Sequence, residues 1–123
     1  MRIFLLIVLG AAGTLTRYAL QGVVQYRTGP RFPSGTLAVN LGGCLLLGVD
    51  RSYALRHLII SPDWRVGMTV GFFGAFTTFS TFGWETVHML EDGEREKAAL
   101  YVGFSVIGGL VLVAAGMKLA DRV

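Results

Sequence analysis

Cysteine is almost missing from this chain. Cys44 stands alone, which excludes an internal disulfide and any cysteine-cluster metal site. Its apolar helical surroundings mark it as a small packing residue. Charge is scarce as well. Only 15% of the residues are Asp, Glu, Lys or Arg, where a soluble domain carries about a quarter. No acidic residue precedes Asp50. There is no nucleophile–base set and no phosphate-binding glycine loop ahead of a basic residue, so an enzyme is not expected. The net charge of +3 comes without a basic–aromatic surface pattern, and nucleic acid is not an expected partner. Glu85 and His88 have a spacing that can hold metal, but they are only two ligands beside the charged turn Glu91-Asp92-Gly93-Glu94-Arg95-Glu96-Lys97. A solvated helix end is the expectation there.

What remains is apolar. Hydrophobic residues make up 53% of the 123, and mean hydropathy is +0.58, the composition of an integral membrane protein. Uncharged runs cover Ile3 to Thr16, Phe32 to Val49, Val66 to Trp84 and Ala98 to Met117. The last three approach the roughly 20 residues that span a bilayer, and the first continues past Arg17 to Tyr26. The pattern predicts an all-α, multi-pass membrane protein forming a single domain over residues 1–123, with four helices near 3–26, 33–55, 65–90 and 96–119. Met1-Arg2 before Ile3 to Leu9 also has the look of a signal peptide, but no small-x-small cleavage site with a polar flank follows.

Four helices put both ends of the chain on one side. That side carries six basic residues, Arg2, Arg51, Arg56, Arg65, Lys118 and Arg122, against four on the other, Arg27, Arg31, Arg95 and Lys97. The bias is a weak orientation signal. A chain that inserts both ways can build an antiparallel dimer, its protomers supplying the inverted repeats that larger transporters carry internally. The 17 glycines, including Gly67-x-x-x-Gly71, Gly42-Gly43 and Gly108-Gly109, permit close helix approach in lipid. A homodimer is the expectation, with packing inside the protomer as the bland reading.

The run Gly71 to Gly83 is a poor ordinary membrane helix. Glycines, threonines, a serine and phenylalanines replace Leu, Ile and Val. Gly loosens a helix, and Thr and Ser hydroxyls compete for its backbone. Backbone that leaves helical pairing at membrane depth is tolerated where it is buried in protein or lines a watery cavity. A break at an ion or solute pathway is therefore expected in the third helix. Freed carbonyls around Gly74 and Thr77 would suit a hard cation. Phe79 and Phe82 share a face and can turn positive ring edges toward an anion, although core packing is the usual job of such a pair. Asn40 is a two-donor amide in an apolar helix, suited to a helix–helix hydrogen bond or to a passing anion. Tyr101 and Ser105 are four apart and offer neutral hydroxyls on one face, with Gly109 continuing the stripe. Arg17 is the one charge well inside a helix. It either snorkels or faces a vestibule and draws anions.

These residues match a known pattern. Gly74-Ala75-Phe76-Thr77-Thr78-Phe79-Ser80-Thr81-Phe82 resembles the G-x-x-T-T-F-S-T-F signature of the Fluc/CrcB fluoride channels. Pro33 to Gly43 resembles that family's second-helix motif, and Gly10 to Tyr18 its first-helix motif of small residues before Arg-Tyr. The resemblance implies a dual-topology, antiparallel homodimer in the plasma membrane, with two fluoride pathways and a structural Na⁺ at the dimer centre. It implies that Gly74 and Thr77 supply backbone carbonyls to Na⁺, that Phe79 and Phe82 from both protomers line each pathway, and that Asn40 is a pathway donor. Arg17 would lie at the vestibule, and Tyr101 and Ser105 would begin a polar track. Gly109, where a further hydroxyl is expected, departs from some members.

Two other classes fit part of the pattern. A small dual-topology multidrug or guanidinium exporter is also a four-helix dimer, but its proton coupling needs a membrane carboxylate, typically in the first helix, and that is missing here. A non-transporting assembly protein would explain the glycines but not the donors gathered around one motif.

Overall fold

The computed structural model describes residues 1–123 and contains helices and no strands. Four helical passages cross the molecule. The first is α1 (Arg2–Thr28) and the second α2 (Ser34–Arg56). The third is composite: α3 (Pro62–Val66), a π-helical segment (Gly67–Phe73), α4 (Gly74–Phe76) and α5 (Phe79–Glu91). The fourth is α6 (Arg95–Ala120). The first and fourth are long and apolar enough to cross a membrane, at mean hydropathies of 1.8 and 2.2.

The third passage starts three residues earlier than its charge pattern suggests, because Ser61 and Pro62 form a helix start. The Ser61 hydroxyl accepts from Trp64 N–H at 3.3 Å, and Pro occupies a first-turn position where a missing N–H does no harm. The π-helical segment has no sequence signature as plain as a cap. It lies where Gly67 and Gly71 let α1 come close: a Cβ on Gly67 would meet Leu9 at 2.9 Å, and one on Gly71 would meet Leu6 at 3.4 Å. Gly13 of α1 touches the same segment more tightly, since a Cβ there would lie 2.3 Å from the Phe72 carbonyl oxygen.

Glycine also joins α2 to α6. A Cβ on Gly48 would sit 2.3 Å from Val113 O, and one on Gly116 would sit 2.2 Å from Leu45 O. Backbone meets backbone at both points, so no side chain can give way. The ends are tied by polar contacts. Arg2 pairs with Asp63 at 3.0 Å and Arg56 with Asp121 on the side of the chain termini. On the other side Gln25 donates to Gly29 O and Phe32 O, and Gly35 N–H donates to Gln25 Oε1. Only 20 of the 123 residues are buried, while Ile7, Leu15, Val23, Ile107, Leu110 and Val111 point outward. An apolar outer surface of this kind suits hydrocarbon rather than water.

Candidate functional site

The third passage leaves helical geometry at two consecutive residues. Thr77 (φ −94°, ψ 159°) and Thr78 (φ −148°, ψ 110°) are extended, and helix resumes at Phe79. Buried backbone groups need partners: Thr77 N–H finds one in the preceding turn, and both groups of Thr78 find theirs in a side chain. Thr77 gives both its N–H and its hydroxyl to Phe73 O, at 3.1 and 2.9 Å. Thr78 N–H donates to Asn40 Oδ1 at 2.7 Å, and Asn40 Nδ2 donates back to Thr78 O at 3.0 Å. One amide side chain thus pairs with the N–H and the C=O of one residue as a neighbouring strand would. Thr78 then starts α5 as its N-cap: its hydroxyl oxygen accepts from Thr81 N–H at 3.3 Å and donates to Thr81 Oγ1 at 2.9 Å.

These bonds release two carbonyls. In an unbroken helix Thr78 N–H would bond Gly74 O, and Thr81 N–H would bond Thr77 O. Here those amides go to Asn40 and to the Thr78 hydroxyl. The helix α2 also presses on the interruption one turn beyond Asn40, because a Cβ on Gly43 would lie 2.3 Å from Thr77 Cγ2 and 3.2 Å from the Phe76 ring. Asn40 therefore makes a bond between helical passages, and its second amide hydrogen stays available.

Beyond the interruption runs an aromatic row. The Phe79 ring is 83% exposed and lies 5.7 Å from Phe82, which lies 5.1 Å from Tyr101. Tyr101 is fully buried and donates its hydroxyl to Glu85 Oε1 at 3.4 Å. Its proton is therefore engaged by a carboxylate rather than presented to a solute. Glu85 turns inward to Tyr101, unlike the solvated helix end expected of it. Ser105 Oγ is buried with no hydrogen-bond partner. Gly109 faces α2, where a Cβ would approach Cys44 Sγ at 3.3 Å; it belongs to helix packing and not to a row of donors.

A cleft of about 970 Å³ opens beside this row, with Arg17, Gln21, Thr36, Thr81 and Glu85 on its walls. Gln21 donates to Thr36 Oγ1 at 3.1 Å. Arg17 Nε is buried without a partner, so the guanidinium is a free donor on the cleft wall and not a neutralised one. Around the opening the charges balance: Arg31 and Lys97 stand near Asp92 and Glu94, and Lys97 bonds Glu94 at 3.2 Å. No group of three His, Cys, Asp or Glu side chains is placed to hold a metal ion. The structure thus gathers Asn40, Gly74 and Thr77 at the interruption and Phe79, Phe82 and Tyr101 in the row beyond it, with Arg17 on the adjoining cleft.

Sequence reasoning missed Thr78 and took Glu85 for part of a solvated helix end. Thr78 was open to recognition as a Thr directly before a helix start. For Glu85 no local signal existed, since its partner Tyr101 comes from the next helix.

Comparison with known proteins gives a consistent answer. The family model described as CrcB-like protein, Camphor Resistance (CrcB), matches residues 4–117. A protein of Geobacter sulfurreducens named fluoride-specific ion channel FluC is 48% identical over 115 residues, covering 94% of this chain and 93% of its own length. Proteins with the same name from Geotalea uraniireducens and Acidobacterium capsulatum are 46% and 41% identical, covering 92% and 93% of this chain and 91% of each relative.

Proposed function

This chain belongs to the CrcB family, and we propose that it is a fluoride-selective passive channel that exports fluoride across the plasma membrane. Its relatives are named as ion channels, and it is a transport protein rather than an enzyme. The observation that carries the reading is the extended Thr77-Thr78 interruption, held by Asn40 next to the outward-facing Phe79. Fluoride is small and strongly hydrated, and a pore must replace that hydration without holding the ion too tightly. The second Asn40 N–H, the unpartnered Ser105 hydroxyl and the edges of Phe79 and Phe82 offer moderate, neutral attraction. Tyr101 forms the wall behind Phe82 and keeps Glu85 occupied. Arg17 gathers anions in the vestibule. An inside-negative potential drives the anion outward at about 2.3 kcal/mol per charge per 100 mV.

The exposed ring of Phe79 fits an assembly in which a second copy covers it. We propose an antiparallel, dual-topology homodimer with two fluoride pathways. The released carbonyls of Gly74 and Thr77 are hard neutral oxygen donors, which fit Na⁺ better than a soft metal. Bound between two copies, Na⁺ would supply a fixed positive charge and cross-link the two interruptions. The protein's own part is to hold both carbonyls out of helical pairing.

The test is fluoride efflux from liposomes holding the purified protein, with potassium and valinomycin to clear the charge, beside an equal chloride experiment. Fast fluoride loss with little chloride loss is expected. No fluoride flux from a verified folded dimer would sink the channel reading, and proton-coupled export of guanidinium or multidrug cations would then be measured.

A further inference from the structure

We propose that Asn40 and Gly43 form a two-point clamp by which α2 sets the direction of the Gly74 and Thr77 carbonyls, making them positioning residues for the sodium site rather than pathway residues alone. The proposal rests on the sodium reading given above. The two residues lie three apart on α2 and so share a face. Asn40 binds both backbone polar groups of Thr78, accepting from its N–H at 2.7 Å and donating to its carbonyl at 3.0 Å, and so holds two consecutive peptides. Thr78 N–H shares a planar peptide group with the Thr77 carbonyl, so its bond to Asn40 Oδ1 orients that carbonyl and diverts the amide that would otherwise recapture Gly74 O, while the bond to Thr78 O holds the next peptide. Gly43 supplies the complementary contact: only a residue without Cβ leaves room for Thr77 Cγ2. Thr77 cannot retreat freely, since its hydroxyl is bonded to Phe73 O at 2.9 Å. The carbonyl directions are thus imposed from a neighbouring helix.

The experiment is thermal melting of the purified full-length dimer over a sodium titration at constant ionic strength, with an organic cation as replacement. A ligand that binds only the folded state stabilises it by RT ln(1 + [L]/Kd), so the sodium concentration at which the melting temperature begins to climb reports the site separately from overall stability. Asn40→Ala and Gly43→Ala should each raise that concentration tenfold or more. Asn40→Ser, which keeps one hydrogen-bonding group, should fall between them and the wild type, and it carries the test with Gly43→Ala should Asn40→Ala fail to fold. A melting temperature lowered equally at every sodium concentration, with the onset of the rise within twofold of wild type, overturns the clamp and leaves the sodium site standing. A wild-type dimer with no sodium dependence removes the sodium reading and the clamp together, while the fluoride-flux result stands apart from both.

Discussion

Replacing Asn40 with Asp is the sharpest probe of the anion pathway, because it changes one NH₂ to an oxygen at almost constant shape. Asn40→Asp keeps the acceptor for Thr78 N–H, now at 2.7 Å, and loses the donor to Thr78 O at 3.0 Å. The lost hydrogen bond is worth about 1 kcal/mol. The larger effect falls on the permeating ion. A carboxylate about 4 Å from fluoride repels it by roughly 4 kcal/mol at an effective dielectric constant of about 20. At about 1.4 kcal/mol per decade that is close to a thousandfold loss of rate. The assay is fluoride efflux from liposomes with valinomycin, at a protein density low enough to resolve single-dimer loss, after size-exclusion chromatography has shown a folded dimer. Flux within a fewfold of wild type across the range from about pH 6 to about pH 9 would refute the reasoning, because a carboxyl kept neutral by burial and by Thr78 O regains its charge as pH rises.

Phe79→Ile and Phe82→Ile keep bulk but remove the polar ring edge, worth about 0.5–1.5 kcal/mol in aromatic contacts; each is expected to slow efflux roughly three- to tenfold while the dimer still elutes intact, and wild-type flux in both would sink the ring-edge account. Arg17→Gln removes the unpaired charge on the cleft wall, and it should lower fluoride flux at about 10 mM salt and lose most of that effect near 1 M, where the screening length is about 3 Å. An effect of Arg17→Gln that ignores salt would assign the residue a packing role. Gly116→Ala drives a Cβ into Leu45 O and Val49 N and should lower stability by about 1–3 kcal/mol, whereas Gly22→Ala has no atom within 4 Å and should melt like wild type in detergent.

Much of this architecture was legible because the membrane restricts the alternatives. Uncharged runs fixed the four passages to within a few residues, since chain spanning hydrocarbon must satisfy its own backbone. The interruption itself was marked by the wrong composition for a spanning helix, Gly, Thr and Ser where Leu and Ile belong. The partners of the interruption were less readable. Asn40 stood out as a lone amide, but its two possible roles carry the same local signal, and only the distance to Thr78 decides that one of its donors is already used. Tyr101 and Ser105 read as a matched pair from their spacing. They differ because Glu85, on another helix, takes the Tyr101 hydroxyl and nothing takes Ser105 Oγ. Gly109 read as a gap in a polar stripe and is a contact with Cys44. Gly67-x-x-x-Gly71 announced a close helix approach, but neither that α1 makes it nor that the backbone takes π-helical pairing there was readable.

The modest apolarity of α2 follows from its two occupied faces. Toward α6 it presents Leu41, Cys44, Gly48 and Ser52, meeting Gly108, Gly109, Val113 and Asp121. Toward the interruption and α1 it presents Thr36, Asn40 and Gly43, which meet Gln21, Thr78 and Thr77. Little of this helix is left to face lipid, so its sequence is free of the demand for large apolar side chains that shapes α1 and α6. The same packing explains how two extended residues survive at membrane depth. An extended dipeptide forfeits helical hydrogen bonds, and each unsatisfied group in hydrocarbon costs several kcal/mol. One rigid neighbour that returns two bonds through Asn40 and closes the gap at Gly43 removes most of that penalty. The carbonyls of Gly74 and Thr77 are left as the remainder, because the amides that would pair with them go to Asn40 and to the Thr78 hydroxyl.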